Sequence, residues 1–143
     1  MSFTWLAAAV GCLALTGLAG CTGENEGSAC GDVESGVTTL TIHLGTNADG
    51  SMYQTPKDLQ AAMGAKVRFM VVNDDKTVFH DFAVLNLFGD GQKLEHEVDG
   101  GKTVCTTHDG EPYFTADKKG DYQTLCEVSG HKELGMKGTF KVV

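Results

Sequence analysis

The sequence predicts an all-β sandwich. From Val37 onward, apolar and polar residues alternate at period two in short runs. Turn signals rich in Gly, Asn and Asp separate those runs. Nineteen glycines against two prolines fit turns between strands better than long helices or a proline-rich linker. With 143 residues, 41% of them hydrophobic, the chain has apolar material for one compact core and not two.

Residues 1–20 carry no charged side chain, and Trp5 to Gly20 is mostly Ala, Leu, Gly and Val. That run is too short and too rich in small residues for a convincing spanning helix, and it reads as the apolar region of a secretory leader. It ends in Leu18-Ala19-Gly20-Cys21, which resembles the bacterial lipobox. The resemblance implies cleavage before Cys21, acylation of its thiol and a membrane-anchored lipoprotein on the periplasmic or cell-surface side. Met1 to Thr4 lacks the Lys or Arg usual in such leaders. The alternative is an uncleaved N-terminal anchor helix. Either way, the rest of the chain lies outside the cytoplasm and beside a membrane. Residues 21–36, rich in Gly, Ser, Glu and Asp, read as a flexible tether. Residues 37–143 form the domain.

Within the domain, Leu40, Ile42 and Leu44 fall on one face of the first strand. The stretch Pro56 to Met63 leaves room for a helical turn. In Lys66 to Val72, Val67, Phe69 and Val71 face one way and Met70 and Val72 the other, which suits a central strand. Asp81 to Leu87 and Gly138 to Val143 are further short strands. Turns fall at Asn47–Gly50, Gly64, Asn73–Asp75, Gly89–Gly91, Asp99–Gly101 and Gly120. An antiparallel arrangement is expected. Near the C-terminus, Tyr122, Thr124 and Cys126 point to one side. Cys126 then ends its strand, and a loop through Gly130 and Gly135 curls back to the next.

The formal charge is −8, which argues against nucleic-acid binding. It suits electrostatic steering toward a basic partner, weakened by salt. Of five cysteines, Cys12 lies in the leader and Cys21 is the lipidation candidate. Cys30, Cys105 and Cys126 remain, and an odd cysteine in an oxidising compartment needs a reason. If Cys126 binds a metal, Cys30 and Cys105 are left as a disulfide pair or as two free thiols. Spacing does not choose between these.

Cys126, His131 and Met136 are separated by four residues each. Thiolate and thioether are soft and suit Cu(I), while imidazole suits both oxidation states of copper. Two His, one Cys and a long axial Met make the blue-copper arrangement. A second His is therefore required from elsewhere. His80, at the head of the run His80-Asp-Phe-Ala-Val-Leu85, is the best placed. His43, His96 and His108 read as exposed or structural, though His96 between Glu95 and Glu97 could take an adventitious metal. Met52, Met63 and Met70 lack the spacing of a copper-carrying motif.

The segments VRFMVVNDDKTVFHDFAV and GDYQTLCEVSGHKELGMKGTFKVV resemble the cupredoxin family of blue copper proteins, over most of residues 37–143. The Cys-to-His spacing is longer than in plastocyanins and more like that of rusticyanins and sulfocyanins. The resemblance implies an eight-stranded Greek-key sandwich with one type 1 copper near one end. It assigns the metal to His80 Nδ1, Cys126 Sγ and His131 Nδ1, with Met136 Sδ axial. The family usually has Asn or Ser after the first His, fastening the two ligand loops. Here Asp81 stands there.

The function expected is electron transfer by a monomer that is not an enzyme, since four protein donors leave no open position for substrate. Redox proteins such as a cytochrome or an oxidase are the expected partners. Leu134, Gly135 and Met136, with Phe79 or Phe88, are expected to form an apolar docking patch. Glu127 and Glu133 would orient a basic partner. The alternative is an extracytoplasmic copper carrier or scavenger with no electron-transfer role.

Overall fold

The computed structural model of the chain describes residues 30–143. The expected leader, the lipidation candidate Cys21 and the tether up to residue 29 lie outside the described residues. Ten strands occur, in chain order β1 (Val37–Thr46), β2 (Met52–Thr55), β3 (Asp58–Ala61), β4 (Lys66–Asn73), β5 (His80–Gly89), β6 (Gln92–Val98), β7 (Thr103–Cys105), β8 (Phe114–Thr115), β9 (Gly120–Leu125) and β10 (Lys137–Val142). One sheet runs β2-β1-β4-β7, with β8 also on β4, and the other runs β3-β10-β9-β5-β6. No helix occurs among the described residues.

Two expectations are corrected. The stretch Pro56 to Met63 holds β3, not a helical turn. Leu59 and Ala61 are buried while Asp58 and Gln60 are exposed, so period two governs, and β3 pairs in parallel with β10. The sheets are also mixed rather than wholly antiparallel. β1 runs parallel to β4, from Val37 opposite Lys66 to Leu44 opposite Asn73. A parallel pair needs a crossover. The excursion through β2 and β3 supplies it, because β2 pairs with β1 while β3 joins the other sheet. That detour and a split edge strand account for the ten strands among the described residues where the resemblance implied eight. β2 and β3 are one path that changes sheets, and β7 and β8 are two pieces of one edge along β4.

Alternation puts Ile42, Leu44, Val67, Phe69 and Val71 in the core from one sheet, and Phe82, Val84, Tyr122 and Phe140 from the other. Phe69 sits at the centre. Its ring lies 5.1 Å from Phe82, 5.2 Å from Phe140 and 5.6 Å from Phe114. The first two contacts are edge-to-face, the arrangement the ring quadrupole favours. A buried hydrogen bond from Gln54 Nε2 to Thr124 Oγ1 (2.7 Å) also joins the sheets.

Cys30 and Cys105 are joined by a disulfide, with Cα atoms 5.2 Å apart. Arg68 donates to the carbonyls of Cys30 and Gly31, and Lys66 pairs with Glu34. The last part of the segment read as tether is therefore fastened to β4 and β7. The opposite end of the sandwich gathers the C-termini of β1, β4 and β9 and the N-termini of β5 and β10. That end presents the candidate donors.

Candidate metal centre

His80 opens β5, and Cys126 directly follows β9. Antiparallel pairing of these two strands, Ala83 opposite Leu125, sets the two residues side by side. The Asp81 amide donates to Cys126 Sγ at 3.4 Å. His131 comes from the loop between β9 and β10. Its Nδ1 lies 3.1 Å from His80 Nδ1 and 3.5 Å from Cys126 Sγ. The three donor atoms all fall within 4.8 Å of one another. His80 and Cys126 are fully buried, and His131 is partly exposed.

Met136 is fully buried as well. Its amide donates to the His131 carbonyl, and its carbonyl accepts from the Cys126 amide, both at 3.1 Å. The loop thus closes on itself. Its burial removes Met136 from the exposed patch expected around it. Phe88 leaves that patch too. It lies near the far end of β5, stacked on His108 at 3.6 Å between ring centroids. Phe79 and Leu134 remain exposed.

Asp81 is buried, and its Oδ1 accepts the Glu127 amide at 2.7 Å. It ties the start of β5 to the loop after β9, although a carboxylate stands where the resemblance led one to expect Asn or Ser. Burial pushes its carboxyl above the ordinary range. Asp75 was read only as part of a turn, yet its Oδ2 lies 2.8 Å from His80 Nε2. The same carboxylate accepts the Thr46 amide and hydroxyl. Burial works to raise its pKa, but the hydrogen bonds from His80 and Thr46 outweigh this and hold it below the ordinary range. A carboxylate five residues ahead of a candidate ligand His was the available signal.

The donor set fits a metal cation. An ionised carboxylate can only accept, so His80 Nε2 is the donor in this contact, and Nδ1 faces the other candidate donors. Burial, then the proximity of His80, lowers the His131 pKa. Burial pushes the metal-free Cys126 thiol up to about 11. A cation must displace that proton. Two imidazoles and one thiolate suit copper or zinc better than hard, oxygen-seeking ions.

The remaining histidines are otherwise engaged. His43 pairs with Asp74 at 3.0 Å, and His96 Nε2 accepts the Thr107 amide. Asp81, Glu95 and Glu127 form a second cluster, in which Lys93 pairs with both glutamates.

No family model matches the chain, and no curated protein matches it. Solved structures do. Auracyanin B is 21% identical, with a TM-score of 0.57, covering 73% of this chain and 88% of its own. Reduced auracyanin from Roseiflexus castenholzii is 18% identical, with a TM-score of 0.59, covering 74% and 97%. Auracyanin A from Chloroflexus aurantiacus, described as a "blue" copper protein, is 21% identical, with a TM-score of 0.56, covering 74% and 100%. A multicopper oxidase from Campylobacter jejuni also shares the fold at a TM-score of 0.55, but this chain spans only 31% of it.

Proposed function

We propose that this chain, which has the cupredoxin fold, is a type 1 copper protein that exchanges single electrons and is held to a membrane through a lipidated Cys21. The observation that carries the reading is the convergence of His80 Nδ1, His131 Nδ1 and Cys126 Sγ within 4.8 Å. The blue copper character of auracyanin A, on the same fold, supports it. Bound copper would supply one-electron Cu(I)/Cu(II) chemistry, and His80, Cys126, His131 and Met136 would hold it.

The chain's own part is to fix these donors so that little moves when an electron arrives or leaves. His80 is locked by Asp75, and Cys126 by the Asp81 amide and by its own amide bond to Met136. The N–H donated to Sγ favours the thiolate. His131 is the donor nearest solvent. Phe79 and Leu134, exposed in the two donor loops, form an apolar rim for a redox partner such as a cytochrome or an oxidase.

The test is the visible and EPR spectrum of the chain loaded with Cu(II). A strong thiolate-to-copper band with narrow hyperfine splitting, abolished in Cys126→Ser, is the expected result. An ordinary tetragonal copper spectrum, indifferent to that substitution, would refute the ligand set and favour a carrier role. Met136→Leu should keep copper and shift the potential. Membrane fractionation checks the anchor: Cys21→Ser should release the protein.

A further inference from the structure

Asp75 is the acidic side chain in contact with the candidate His80 donor, and the electron-transfer reading uses it only to hold the ring still. We propose that Asp75 is a positioning residue. It holds His80 in the Nε2–H tautomer with Nδ1 turned to the metal, and its fixed negative charge favours Cu(II) over Cu(I), lowering the reduction potential. This rests on the copper reading above for the potential, but not for the tautomer.

The hydrogen bonds around Asp75 leave one consistent arrangement. Oδ2 accepts from His80 Nε2 (2.8 Å) and from Thr46 Oγ1 (2.7 Å), while Oδ1 faces the Thr46 amide at 3.2 Å. Three donors converge on one carboxylate, and a protonated carboxyl would set its own hydrogen against one of them. The His80 ring is fully buried, so solvent offers Nε2 no substitute partner. Its Nδ1 already faces His131 Nδ1 and the Cys126 side. The ring is thus gripped by the carboxylate at Nε2, with Nδ1 turned to the other candidate donors.

Asp75 is itself held in place. Its amide donates to Asn73 Oδ1 (3.0 Å), and its carbonyl accepts from the Gly101 amide (2.6 Å). Asn73 Nδ2 in turn donates to the carbonyls of Val78 (2.8 Å) and Val98 (2.9 Å). Gly100 packs so closely that a Cβ there would lie 2.4 Å from the Lys76 carbonyl oxygen. The carboxylate therefore cannot swing away without moving β1, β6 and the turn after it. A carboxylate hydrogen-bonded to a metal-ligating imidazole fixes its tautomer and raises its basicity. A more basic donor and a nearby negative charge both stabilise the more positive metal ion.

Two variants test this in the full chain. Asp75→Asn keeps an oxygen to accept Nε2–H but removes the charge, and Asp75→Ala removes both. In the metal-free protein, ¹⁵N imidazole NMR should show His80 protonated at Nε2 in the wild type and in Asp75→Asn. Asp75→Ala should lose this single tautomer. In the copper-loaded protein, Asp75→Asn should keep the wild-type visible and EPR spectra while its potential rises. The rise expected is that of an about tenfold weakening of Cu(II) relative to Cu(I), about 59 mV for one electron. A folded Asp75→Asn with an unchanged potential would overturn the charge effect. A wild-type His80 protonated at Nδ1, or an Asp75→Ala that keeps the Nε2–H tautomer, would overturn the positioning role. If the wild type gives no thiolate-to-copper spectrum, the copper reading fails by itself, and the metal-free NMR still decides the tautomer.

Discussion

From Cys126 to Met136 the chain bonds mainly to itself, whereas from Asp74 to Phe79 it is held mainly by other parts of the molecule. In the first stretch the amides of Cys126, His131, Leu134, Gly135 and Met136 all donate to carbonyls between Val128 and Met136. Three of the four candidate donors therefore come from one self-contained loop. In the second, the Asp74 amide donates to Leu44, the Gly101 amide donates to Asp75, and the Asp75 carboxylate bonds Thr46 and His80. Spacing along the chain describes a loop of the first kind. It says little about the second, whose shape depends on residues about thirty positions away in either direction.

The largest expected effect belongs to the self-contained loop, because it holds the proton that a metal must displace. The metal-free Cys126 thiol titrates at about 11, so below that pH copper must expel one proton. Apparent copper affinity, measured by competition with a chelator between pH 7 and 9, should fall about tenfold for each unit of acidification. The His131 pKa is held below its ordinary 6.5, so it steepens the profile only at more acid pH. A flat profile would mean that Cys126 is not a ligand.

Next is a change that should touch neither loop. The Cys30–Cys105 bond closes a sequence separation of 75 residues. Replacing both cysteines with serine should lower stability in denaturant melts by about 4 kcal/mol on the chain-entropy account. The copper spectrum should not change. A changed spectrum would show that the far edge of the sheet reaches the donors.

Two glycines set the loops directly against each other. At Gly100 a Cβ would meet the Lys76 carbonyl, backbone against backbone, so Gly100→Ala should cost about 3 kcal/mol and disturb His80. At Gly130 a Cβ would meet open space, and only the φ of +85° resists it. Gly130→Ala should cost about 1 kcal/mol, the ordinary penalty for a left-handed residue. Equal losses in thermal melts would break the distinction between the loops.

The same distinction decided what was legible in the sequence. The strands around Ile42, Phe69 and Phe140 could be read because alternation within a few residues sets which side chains are buried. Cys126, His131 and Met136 could be nominated from spacing, and His80 from its place ahead of a strand. Asp75 was read only as part of a turn: His80 is five positions on, but the carboxylate is aimed by Thr46, 29 positions away. Pro56 to Met63 misled because four residues of alternation are a weak signal until β10 lies beside them. Met136 was expected at the surface with its loop neighbours, but closure of that loop turned it inward.

By itself the sequence determined the class of fold, the donor types on offer and the acidic character of the surface. Those follow from composition and from periodicities of two to five residues, which bond geometry imposes locally. Tertiary structure alone decided that β1 runs parallel to β4, that Cys30 meets Cys105, and that a carboxylate from one turn grips the ring of His80. The first two join residues that are distant in the chain, and the third, between residues five apart, depends on Thr46, 29 positions away, to aim the carboxylate.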